Sequence, residues 1–167
     1  MRNLIIIITS LILNAVSLFA KTNDAELYRL AYEFIKKDSI FNRKEITISY
    51  NIIDMIDAWT TDWQSLYPEK FDLLRKERIM KHYNYSPSVY SKELDELGKQ
   101  LNVDKPDMII FFSTISCGCL RADVFPVSDI NIQDERSYYF SSAVAYLFIF
   151  KDNKSIMDVK RQNMVYG

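Results

Sequence analysis

The pattern of apolar and polar positions divides the chain into a leader, a helical half and a strand-rich half. Arg2 is followed by an almost wholly apolar run, Leu4 to Leu13, and then by Val16-Ser17-Leu18-Phe19-Ala20. A positive start, a short apolar run and a small final residue are the grammar of a secretory signal peptide. Thr9, Ser10, Asn14 and Ser17 interrupt the run, whereas a spanning helix wants about 20 mainly apolar residues. The expectation is cleavage after Ala20, export to the periplasm or beyond, and membrane contact only while the leader (residues 1–20) is in transit.

Beyond the leader, Asn23 is placed to cap a helix, with Glu26 three residues on. Leu27, Leu30, Ala31, Phe34 and Ile35 follow helical spacing. Ile46, Ile48 and Tyr50 then alternate with Thr47 and Ser49, the period of a strand buried on one face. Residues 51–101 read mainly helical. Pro68 suits the first position of one helix, whose basic residues are interleaved with Glu69, Asp72 and Glu77 and form its wet face. Ser88 or Ser91 opens another, with Tyr90, Leu94, Leu97 and Leu101 on one stripe.

From Met108 onward the pattern is β. A strand running unbroken from Met108 to Pro126 would far exceed the usual five or six residues, so a turn at Ser116-Cys117-Gly118-Cys119, which holds the only glycine there, makes a hairpin. After a polar loop containing Asp129, Asn131, Asp134 and Glu135, the stretches Ser142 to Phe150 and Ile156 to Tyr166 flank Lys151-Asp152-Asn153-Lys154-Ser155 as a second hairpin. Strands and helices are segregated, which predicts an α+β domain over residues 21–167. In that arrangement the N-terminal helix and further helices pack on one face of a four- to five-stranded antiparallel sheet, made largely by the C-terminal half.

Charge narrows the partners. With 21 basic and 22 acidic side chains, the net charge of −1 supplies no field to gather nucleic acid. Three scattered glycines rule out a nucleotide-binding glycine loop, and a single histidine, His82, excludes a histidine-rich zinc site. No cofactor or metal is expected. Tyr83, Tyr85 and Tyr90 around Pro87 form either loop packing or a binding edge.

Two constellations carry chemistry. Cys117 and Cys119, one residue apart, invite a disulfide in an oxidising compartment. A straight strand would hold their Cα atoms about 6.6 Å apart with parallel Cβ bonds, so only a turn at Gly118 permits closure. Asp54, Asp57 and Asp62 beside Trp59 and Trp63 resemble the acids and aromatic platforms of sugar-active sites. The leading expectation is nevertheless a non-catalytic binding module for a protein or a small ligand. Its pocket lies between sheet and helices and is walled by Trp59, Trp63, Phe112, Tyr146 and Phe148. A thiol-disulfide redox protein using Cys117 and Cys119, or a carbohydrate-active or carbohydrate-binding protein, stand as alternatives.

Overall fold

A computed structural model describes residues 24–53, 61–80, 89–129, 142–151 and 155–166. The leader, the Asn23 cap, Asp54, Asp57, Trp59, His82, Tyr83, Tyr85, Pro87 and the loop residues Asn131, Asp134 and Glu135 lie outside them. Among the described residues no helix is long and apolar enough to cross a membrane.

In chain order the elements are α1 (24–36), β1 (Ile46–Ile53), α2 (Thr61–Leu66), α3 (Pro68–Met80), β2 (Val89–Tyr90), α4 (Lys92–Leu101), β3 (Met108–Ser113), β4 (Cys119–Pro126), β5 (Ser142–Lys151) and β6 (Ser155–Val165). The six strands form one sheet in the order β2-β1-β3-β4-β5-β6. The α+β class and the N-terminal helix stand as the pattern indicates, and the sheet is mostly antiparallel, with β2 adding a strand of only two residues. One pair differs: β1 runs parallel to β3. A parallel pair needs a long crossover, and the chain between β1 and β3, which includes α4, supplies it.

Alternation along the strands sorts side chains into two layers. On one face Ile46, Ile48, Ile110, Phe112, Leu120, Ala122, Val124, Tyr146, Phe148 and Phe150 meet Leu27, Ala31 and Ile35 of α1 and Leu94 and Leu97 of α4. The buried stripe of α1 is turned from the expected one: Tyr28 and Tyr32 are buried while Phe34 is exposed. Each tyrosine hydroxyl reaches a backbone carbonyl, Tyr28 that of Ser113 at 3.1 Å and Tyr32 that of Ile46 at 3.3 Å, which removes the penalty of burying it. On the other face Trp63 and Leu74 pack over Cys119, Ala145, Leu147 and Ile149. The shared-face packing holds for α1 and α4, whereas α2 and α3 cover the opposite face.

α4 begins where Ser91 accepts the Leu94 N–H, and it ends at Asn102 in the left-handed region with φ 48°. Just past β2, the Ser91 N–H donates to the Tyr50 carbonyl at 2.8 Å. α4 therefore runs back along β1, where a Cβ at Gly98 would stand in ordinary contact, 3.5 Å from the Ile48 carbonyl oxygen.

Candidate functional site

The Cys117–Cys119 turn is a two-residue hairpin loop. Cys117 and Gly118 have φ of 52° and 69°, and Ser116 and Cys119 exchange both backbone hydrogen bonds at 3.0 and 2.8 Å, the pattern that suits the twist of a tight hairpin. α3 clasps this turn. Lys70 Nζ donates to the Cys117 carbonyl at 2.6 Å, and the Ser116 hydroxyl donates to Glu77. Both thiols are free. Burial is the main force pushing the Cys119 thiol up to about 11, against the pull of Lys70. At neutral pH Cys119 is therefore a protonated, buried thiol, the opposite of the depressed pKa that activates a thiol nucleophile.

Arg121 and Asp123 alternate with Leu120, Ala122 and Val124, a spacing that on an open sheet would place them in water. Instead each is 2% exposed. Arg121 Nε donates to Asp123 Oδ1 at 2.9 Å and its Nη2 to Oδ2 at 2.5 Å, and the Tyr166 hydroxyl accepts from Arg121 while donating to Asp123. Burial opposes the guanidinium charge, but the adjacent carboxylate keeps Arg121 above its ordinary value. A second cluster joins the end of α1 to β5 and β6. Asp38 takes hydrogen bonds from Tyr146 at 2.9 Å and from Arg161 at 2.8 Å. Burial tends to raise the Asp38 carboxyl, yet the Ile40 N–H, Arg161 and Tyr146 hold it below the usual range. A third cluster ties the α2–α3 junction to β6, with Tyr67 donating to Asp158 and burial and that carboxylate raising its phenol to about 12. All three clusters hold elements together.

The aromatic residues expected to wall one pocket are split by the sheet. Phe112, Tyr146 and Phe148 are fully buried between the sheet and α1, with Tyr146 stacked on Phe148 at 6.0 Å and Phe34 edge-on to Phe148 at 5.6 Å. Trp63 is buried on the opposite face, so it offers no platform to a sugar, and Asp62 beside it is exposed. Trp59 lies outside the described residues. Period-2 alternation explains the split: Tyr146 is paired with Ala122 and Phe148 with Leu120, all on the α1 face.

An arrangement open to solvent lies at the β2–β1 edge. Ile48 pairs with Ile110 and Ile52 with Phe112, so four residues of β1 span the length of two on β3. Such a bulge re-aims a side chain, and here it turns Tyr50 outward. The Ser49 hydroxyl pins it by accepting the Asn51 N–H at 3.1 Å. Tyr50 is 47% exposed and Tyr90 57%, their ring centroids 5.7 Å apart and inclined at 51°. The Tyr90 hydroxyl donates to Asp95 Oδ2 at 2.8 Å, and Lys99 Nζ reaches the same oxygen at 2.6 Å. Hydrogen bonds from Lys99 and Tyr90 lower the Asp95 carboxyl, so this tether is intact at neutral pH. Beside it a groove of about 330 Å³ is lined by Thr47, Ile48, Tyr50, Asp95, Gly98, Lys99, Asn102 and Val103.

Sequence reasoning named Tyr90 as a possible binding edge and missed Tyr50, Asp95, Lys99 and Asn102. Tyr50 fits the alternation of a buried strand face, and only the long-range pairing with β3 exposes the extra residues of the bulge. A second groove of about 580 Å³ lies at the other end of β3, among Ile40, Phe41, Lys44, Pro106, Met108 and Val127. Exposed Ile40 flanks it, but it has no paired aromatic rings.

Comparison with family models, with curated proteins and with solved structures returns no match.

Proposed function

We propose that this chain is an exported, non-catalytic binding module whose recognition site is the groove between β1 and α4. The observation that carries this reading is the pair of half-exposed tyrosines beside the groove, Tyr50 and Tyr90, their rings in contact and Tyr90 tethered to Asp95. Large aromatic rings kept in water add nothing to the core, and fixing them in advance reduces the entropy lost when a partner is bound. Burial keeps Cys119 protonated, which weighs against that thiol as a nucleophile. Export rests on the leader grammar of residues 1–20.

Two measurements test the proposal. The intact mass of the chain recovered outside the cytoplasm is expected to begin at Lys21; retention of Met1 contradicts cleavage. A thermal-shift screen against small-molecule and displayed-peptide libraries is expected to give ligands whose effect disappears in a Tyr50→Ala/Tyr90→Ala variant. Ligands that stabilise both proteins equally contradict the site.

A further inference from the structure

Granting that the β1–α4 groove is a binding site, we infer that its ligand is a neutral saccharide, stacked on Tyr50 and Tyr90 and hydrogen-bonded to the groove. Charge argues first. Asp95 and Lys99 are the two charged side chains of the lining, and they neutralise each other at 2.6 Å, so the groove has no uncompensated charge with which to select an ion. Its polarity argues next. The Thr47 hydroxyl and the Asn102 amide make no hydrogen bond among the described residues, and Lys99 retains donors beyond the one given to Asp95.

A hydroxyl and an amide each both donate and accept, and that matches the hydroxyls of a sugar, which do the same. A lipid tail would leave these groups dry and unpaired, at a penalty for each. The aromatic pair completes the match. The face of a tyrosine ring is electronegative, and a pyranose presents patches of weakly positive C–H on its flat sides, so sugar rings lie on such faces. The two rings are inclined at 51° rather than coplanar, which offers two differently tilted platforms, suited to successive residues of an oligosaccharide. The groove volume of about 330 Å³ lies at the small end for ligand sites and suits a short segment of a glycan, not a buried cofactor.

The test uses the full chain and a glycan array, followed by titration of neutral gluco-, galacto- and N-acetylglucosamine trisaccharides observed by NMR. At least one trisaccharide is expected to bind, with affinity insensitive to salt, shifting the resonances of Tyr50, Tyr90, Lys99 and Asn102. Tyr50→Phe should keep the affinity, whereas Tyr50→Ala/Tyr90→Ala should lower it by about tenfold, since each aromatic contact contributes modestly and the two add. Gly98→Leu is a second blocking variant. Its Cβ meets the Ile48 carbonyl at an ordinary contact distance of 3.5 Å, leucine is the better helix former, and the side chain fills the groove. Unchanged thermal melting of each variant certifies its fold.

Sugar binding that survives these variants, or that maps to the groove around Ile40 and Lys44, overturns the inference. So does a displayed peptide that binds at Tyr50 and Tyr90 when no glycan does, although the binding-module reading then stands. Absence of any ligand at this groove removes both.

Discussion

The two edges of the sheet are closed in different ways. A sheet edge must be guarded by charge, by a bulge or by a cover, or it recruits other strands. β6 is guarded by charge and a bulge. Asp158, Lys160 and Arg161 stud its middle, its pairing with β5 slips at Ile149 and Phe150, and Asp158 and Arg161 are drawn back onto Tyr67 and Asp38. The eight residues of β1, Ile-Thr-Ile-Ser-Tyr-Asn-Ile-Ile, hold no charge. Its outer side is closed by the two residues of β2 and then by α4, whose Gly98 faces Ile48. A helix is a poorer fit to a strand than another strand is, so this closure leaves a groove. The difference is that the charges of β6 tie elements together, while the exposed rings beside β1 are the ones we propose for a partner.

The contrast can be broken from the structural side with the largest effect. Asp123→Ala strands a buried guanidinium and is expected to lower stability by about 3–5 kcal/mol, read by urea denaturation. An apolar replacement of both Arg121 and Asp123 should be far milder, because no charge is then left unpaired. If Asp123→Ala melts like the parent, the pair is not sealed from water.

Smaller effects sharpen the comparison at the other edge. Ser91→Ala removes the cap of α4 and should lower stability by about 1 kcal/mol, loosening the wall of the groove. Tyr50→Ala should change stability by less than about 1 kcal/mol, as surface substitutions do, while weakening ligand-induced stabilisation. A large loss of stability would instead make Tyr50 a packing residue.

Two subtler readouts address the side-chain clusters. Asp38 is depressed in the folded chain, so the stability it contributes is present above about pH 4, the ordinary value for a free carboxyl, and is lost as pH falls through the depressed value. Asp38→Asn should flatten that acid limb in thermal melts between neutral and acid pH. At neutral pH iodoacetamide should label half-buried Cys117 before Cys119, as peptide mapping would reveal. Faster labelling of Cys119 would revive the thiol-based reading.

Much of this architecture was legible in the residues. Pro68 and Ser91 open helices where their chemistry suits the first turn and the cap, and the only glycine between Met108 and Pro126 marks the hairpin. Local signals suffice for such features. What escaped depends on distant partners. The parallel pairing of β1 with β3, and the bulge that exposes Tyr50, are settled by a strand more than fifty residues away. Arg121 and Asp123 have solvent spacing but are buried, paired with each other and with Tyr166 at the far end of the chain, a partner that alternation alone does not reveal. Phe112, Tyr146 and Phe148 suit a pocket wall equally well in the sequence, because apolar alternation says that a face is covered, not whether a ligand or α1 covers it.

The most direct test is a crystal structure of the chain grown with a high concentration of a neutral trisaccharide that scores on the array. A sugar ring is expected to lie flat against Tyr50 or Tyr90, with its hydroxyls reaching Asn102, Thr47 or Lys99. An empty groove under those conditions, or the two tyrosine rings folded inward against the core, would contradict it.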